Sequence, residues 1–339
     1  MDEYISKNIK ILNFIMISFM VWYHMGRIGG NNSSYGNWDI ILNSELNYIF
    51  DAMGYFVISY FFAVTGFLLF YNLTYKSYTE KIKRRFFSLL IPYILWQIIP
   101  AVIGVLRGQY TFKLSDFLLS SFGMVRYPLN GPLWFVYAIF IMSLFSPILL
   151  FLFKNRKVGW CLILCITVFI QANGYEHIPD SKYLFPNIVY YLPSYLVGAF
   201  CGMFIKDIKF IGLSKYILSI CLLAFLLAGL LPTFLGSIII KTMPFVLVFL
   251  FPFTGKLKDK EIYNLTFLIY AFHGILPYRS ISNDIVHKFF KMHMPISILN
   301  ITERVTGLLL VAMVSALVYT ITKKYAPKIL AILSGGRSL

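Results

Sequence analysis

The strongest constraint on this chain is a recurrence of apolar runs, each long enough to cross a lipid bilayer. Residues 9–28, 48–70, 86–106, 132–153 and 305–322 are examples, and a helix of about 20 residues spans a hydrocarbon core. Charged residues make up 13% of the 339 positions and hydrophobic residues 59%, whereas soluble domains carry about 25% charge. So little charge could not cover the surface of a soluble chain this long. The sequence therefore reads as an all-α, polytopic transmembrane bundle, one domain over residues 1–339.

Ten spans are expected, at 9–28, 48–72, 86–106, 132–153, 158–173, 188–205, 215–232, 237–253, 262–279 and 303–322. Lys and Arg outnumber Asp and Glu by 30 to 14. In a soluble protein that excess would suggest nucleic acid, but here the basic residues collect in short segments between apolar runs. With both termini cytoplasmic, 20 of the 30 basic residues fall on the inner side, as the positive-inside rule requires. The expected outer loops are 29–47, 107–131, 174–187 and 280–302. In the second, the apolar piece 117–122 could dip back into the membrane. Lys241, inside a span, must snorkel or line a cavity. Cys161, Cys165, Cys201 and Cys221 lie within spans without a redox or zinc spacing, and read as small packing residues. The first apolar run ends without a small-residue cleavage site and is expected to be retained in a cell-membrane protein.

Ionisable residues inside spans are costly and so become functional candidates. His24 follows Trp22 and Tyr23 near the outer end of the first span. It is either part of an interfacial aromatic belt or a general base, since imidazole can take a hydroxyl proton near neutrality. Asp51, at the outer end of the second span, is either a solvated helix-entry carboxylate or the partner that fixes the His24 tautomer. His273 is placed deeper and is either functional or a packing partner for a neighbouring helix. Arg84 and Arg85, with Lys81 and Lys83, form a basic cluster that suits the phosphates of a nucleotide-bearing acyl donor. The same cluster serves equally as topogenic charge near anionic lipid.

A series of short motifs follows in order: Met20-Val21-Trp22-Tyr23-His24, Phe61-Phe62-Ala63-Val64-Thr65-Gly66-Phe67, Lys83-Arg84-Arg85 with Ile91-Pro92-Tyr93, Pro132-Leu133-Trp134-Phe135-Val136, Tyr195-Leu196-Val197-Gly198-Ala199, and Tyr270-Ala271-Phe272-His273. The ordered set resembles the acyltransferase 3 family of bacterial integral-membrane O-acyltransferases over essentially the whole chain. That resemblance implies transfer of an acetyl or other short acyl group from cytoplasmic acyl-CoA to a hydroxyl of a surface polysaccharide or lipid-linked glycan. Acyl-CoA would be a co-substrate, with no bound cofactor and no metal. It implies His24 as the catalytic histidine and makes Trp134 and His273 further site candidates.

One position departs from the family pattern. The family commonly carries Arg eleven residues before the histidine, where this chain has Asn13. Asn13 shares a helix face with His24, about 16 Å away, and Lys10 lies almost a turn further inward. Lys10 is the candidate replacement cation, the alternatives being a different donor or a lost activity. A polysaccharide exporter of the same membrane architecture is the alternative function, and a structural or sensor role comes third. No inverted repeat, the usual mark of a transporter, is visible in the sequence.

Overall fold

The computed structural model describes residues 3–28, 36–109, 111–124, 127–173, 185–204, 261–290 and 294–336, with scattered positions between 236 and 248. Every regular element among them is helical. The expected spans 215–232 and 237–253 lie largely outside the described residues. Five described helices are long and apolar enough to cross a membrane, or six if one bent pair counts as a single span. The chain is a multi-pass membrane protein.

Helix α1 (Glu3–His24) packs against α2 (Asn37–Phe70). At 34 residues, α2 is about 51 Å long, well beyond a hydrocarbon thickness of about 30 Å. Its first turns occupy what was expected to be an outer loop. They are held by Asp39, whose carboxylate accepts from the backbone N–H of Ile296 at 2.6 Å and of Ser297 at 3.0 Å.

The basic cluster is helical as well. A capping box between Thr74 and Ser77 opens α3 (Tyr75–Arg85), which runs through a π-helical segment (Phe86–Leu90) directly into α4 (Ile91–Leu106). In the outer loop expected at 107–131, the apolar piece forms a short helix, α5 (Leu114–Ser121).

The expected span 132–153 is two helices, α6 (Trp134–Leu144) and α7 (Ser146–Phe153), bent by 56°. Pro147 explains the break: it has no N–H to give, and its ring clashes with the preceding turn. Helix α8 (Arg156–Ala172) begins at Asn155, whose side chain accepts from Lys157 and Val158 N–H. Cys161 and Cys165, read as packing residues, instead face outward from α8. Lys241 does not snorkel. It is buried, with its ammonium 3.3 Å from Gln171 Oε1 and 3.9 Å above the Tyr190 ring.

Helix α9 (Phe185–Phe204) lies along α2 in backbone contact. A Cβ on Gly198 would fall 1.8 Å from the Ala63 carbonyl oxygen, and one on Gly202 2.4 Å from that of Phe67. This is the close approach that small residues four apart permit between membrane helices.

The expected span 262–279 is broken. A 3₁₀ turn (Glu261–Leu265) leads into α10 (Thr266–Phe272), and after a turn α11 (Tyr278–Phe290) fills much of the expected 280–302 loop. Gly274 and Pro277 mark the break. Gly274 passes so close to Asn130 that a Cβ would meet its Oδ1 at 2.1 Å. Helix α12 (Ile296–Tyr325) and the short α13 (Pro327–Ser334) close the chain.

Candidate active site

Helix α1 presents one face to two adjoining cavities. Ser6, Lys10, Asn13 and Ile17 line a cavity of about 500 Å³, and Met20 and His24 line a second of about 20 Å³. Steps of three and four residues keep these side chains on one side of a 3.6-residue helix. Three rings, Phe61, Phe135 and Tyr270, belong to the walls of both cavities. The large cavity thus narrows at an aromatic constriction, beyond which sits His24.

The polar lining of the large cavity is cationic. Lys10 and Arg85 both reach it, and Asn13 lies between Lys10 and the constriction along α1. Arg85 is anchored by Ser143 Oγ at 2.8 Å and the Thr65 carbonyl at 3.0 Å, which leaves further guanidinium donors for a ligand. Tyr60 donates to Asn13 Oδ1 at 3.1 Å, so the Asn13 amide N–H groups are the ones left to the cavity. Lys10 lines the cavity together with Asn13.

Arg84 and Lys81 of the basic cluster are engaged elsewhere. Arg84 is exposed and pairs with Glu80 one turn back. The Lys81 ammonium donates to the carbonyls of Leu69 and Tyr71 at 2.9 and 2.6 Å, which stabilises the C-terminal end of α2.

At the other end, His24 is exposed on one side and lines the small cavity on the other. Trp134 is buried in the wall of that cavity, against Phe62 and Tyr191. The proposed orienting carboxylate is committed elsewhere: Arg27 Nε donates to Asp51 at 3.0 Å. The Arg27 side chain lies beyond the end of α1, where it reaches the solvent edge that Asp51 also faces. The His24 imidazole packs against the His273 ring, with centroids 5.0 Å apart, and against Tyr23 at 5.1 Å.

The last turn of α1 is held by a residue the sequence did not single out. Arg304 on α12 is 1% exposed. Its guanidinium donates to the carbonyls of Trp22 and Gly26 and to Asn300 Oδ1, and stacks 4.0 Å above Phe50. Tyr278 donates to the Val21 carbonyl at 3.2 Å. Asn43 and Asn47 donate to the Ile28 carbonyl. These groups satisfy carbonyls that a helix C-terminus otherwise leaves bare, and a cation there complements the helix dipole. The available signal was Arg304 itself, an ionisable residue at the start of an apolar run.

Asn130 fixes the opposite wall. Its amide donates to the Ala271 carbonyl at 3.1 Å, its backbone N–H donates to Gln97 Oε1 at 2.7 Å, and Tyr270 donates to the Pro132 carbonyl. The loop before α6 and the broken end of α10 are thereby tied together around His273.

Comparison with curated proteins and with solved structures gives no match. The model of the acyltransferase 3 family, described as an acyltransferase domain, matches residues 7–322, nearly all of a chain whose helices build the cavities above, and the protein belongs to that family.

Proposed function

We propose that this protein is an O-acyltransferase of the cell membrane that moves an acetyl or other short acyl group from cytoplasmic acyl-CoA to a hydroxyl of a surface or lipid-linked glycan. One observation carries the reading: a cationic cavity and a histidine pocket share the rings of Phe61, Phe135 and Tyr270. A charged donor and a hydroxyl acceptor can then approach one point from opposite ends. In this reading both termini face the cytoplasm and about ten spans cross the membrane.

The chemistry follows from the ends of that path. Lys10 and Arg85 supply charge-assisted hydrogen bonds to donor phosphates or carbonyls, and Arg85 can bind them in a fork. The thioester arm lies along the apolar wall formed by Ile17, Val64 and Val136, with its acyl carbon at the constriction. His24, open to the outer side, takes the proton from the acceptor hydroxyl as that oxygen attacks the carbonyl carbon. Collapse of the tetrahedral intermediate breaks the carbon–sulfur bond. The imidazolium then returns the proton to the departing thiolate, giving the ester and free CoA.

The test is His24→Ala, with ester content measured on surface glycans at matched protein level. The expected result is loss of the ester with normal expression and melting. Retained ester would overturn His24 as the base. Unchanged glycan ester on deletion of the gene would overturn the acyltransferase reading as a whole.

A further inference from the structure

His273 closes α10, where the helix breaks, and its side chain is 4% exposed. Neither ring nitrogen has a hydrogen-bond partner. Its ring neighbours are Tyr270 at 5.5 Å and His24 at 5.0 Å, the latter tilted by 46°. Burying a polar group unpaired costs stability, and an apolar ring of similar shape would avoid that cost. An imidazole kept here at the expense of stability points to a use.

Geometry identifies the use. Ring atoms lie about 1.1 Å from an imidazole centroid, so two rings 5.0 Å apart can bring nitrogens to about 2.8 Å by rotation, a normal hydrogen-bond length. A neutral imidazole carries a lone pair on one of its two nitrogens, so His273 can accept a hydrogen bond there. We propose that His273 is the positioning residue for His24, accepting a hydrogen bond from one imidazole nitrogen so that the other faces the acceptor hydroxyl.

The role rests on His24 as the base. When His24 takes the hydroxyl proton on its outward nitrogen, the imidazolium keeps its N–H to His273 and returns the other proton to the thiolate. His273 remains neutral throughout. Nearby polar groups have contacts of their own. Asp51 is paired with Arg27, Tyr270 donates to the Pro132 carbonyl, and Arg304 donates to carbonyls of α1. The Arg279 guanidinium, which lies against Gly26, has only donors to give.

The test compares wild type, His273→Phe and His273→Gln in the full-length protein. The sequence has five histidines, so nitrogen-15 histidine labelling in liposomes, read by solid-state NMR and assigned with His24→Ala, reports the His24 tautomer without any substrate. A single His24 tautomer is expected in wild type and a mixture in His273→Phe, with melting at or above wild type. In acyl transfer, His273→Phe should lower kcat at least tenfold with the donor KM unchanged. His273→Gln, whose amide oxygen accepts the same bond, should recover part of that loss. An unchanged His24 tautomer in His273→Phe overturns the proposal, as does a His273→Phe chain that melts far below wild type. A tautomer change in protein that acylates nothing supports the pairing and overturns the acyltransferase reading instead.

Discussion

The contact between α2 and α9 makes a demanding prediction for Gly198→Ala. The added methyl would sit 1.8 Å from the Ala63 carbonyl oxygen, 2.5 Å from its carbon and 2.7 Å from its Cα. Carbon and oxygen normally meet at about 3.3 Å, so the helices must part locally by about 1.5 Å. The obstacle is backbone, which cannot move aside as a rotamer can. Overpacking a tight core by a methylene costs about 1–3 kcal/mol, and this case belongs at the upper end. A loss of that size lowers melting by roughly 3–4 °C in a chain of this length. Thermal melting in detergent, followed by size-exclusion chromatography, measures it. Gly131→Ala is the control, since its Cβ would meet Tyr127 at an ordinary 3.5 Å. Gly198→Ala melting with wild type would refute the backbone contact. Because α2 also carries Phe61 and Thr65, parting it from α9 should depress acyl transfer as well.

Arg304→Met should cost about 3–5 kcal/mol, the range for breaking a buried charged contact, and should reduce turnover by loosening the last turn of α1. Arg304→Lys should recover little, since an ammonium cannot fork between two carbonyls, and full turnover in Arg304→Met would remove Arg304 from the site. Arg85→Ala should weaken acyl-CoA binding in calorimetry by about tenfold or more, the worth of a charge-assisted hydrogen bond. Arg84→Ala should be nearly silent, as an exposed pair contributes about 0–1 kcal/mol, and equal losses in the two variants would contradict the split. Asp51→Asn should leave most turnover intact in a transfer assay. Its failure to turn over, in protein that melts normally, would return the orienting role to Asp51.

Much of the candidate site was legible because it lies along one helix. Lys10, Asn13 and His24 share a face of α1 by period alone, and the cavities lie along that face. Arg85 and Trp134, singled out from short motifs, also line cavity walls, while Arg84 beside Arg85 faces away. What the sequence hid was set by partners far along the chain. Arg304 reaches back 282 residues to Trp22, a pairing that no periodicity encodes. Asp51 was weighed only against His24 because Arg27 falls inside the expected span 9–28, whereas the helix ends at His24 and Arg27 reaches Asp51. The breaks at Phe145 and His273 were hidden in runs whose hydropathy continues through them. Pro147, Gly274 and Pro277 were visible there, but hydropathy outweighed them.

The π-helical segment Phe86–Leu90, where Ile91 N–H reaches back to the Phe86 carbonyl, changes what a genetic lesion would do here. A π turn holds one residue more than the α-helix around it. An in-frame loss of a single codon from this stretch would restore α pitch and turn everything beyond it by about 100° relative to everything before. Arg85, before the segment, faces the large cavity; Trp96 and Gln97, beyond it, pack on Phe272 and Asn130. Only the extra residue lets both halves of one rod meet their partners together. Deletion scanning should therefore find a codon here whose removal is more damaging than any substitution of the same residue, and an alignment of relatives should treat a one-residue gap at this point as a change of shape rather than of length.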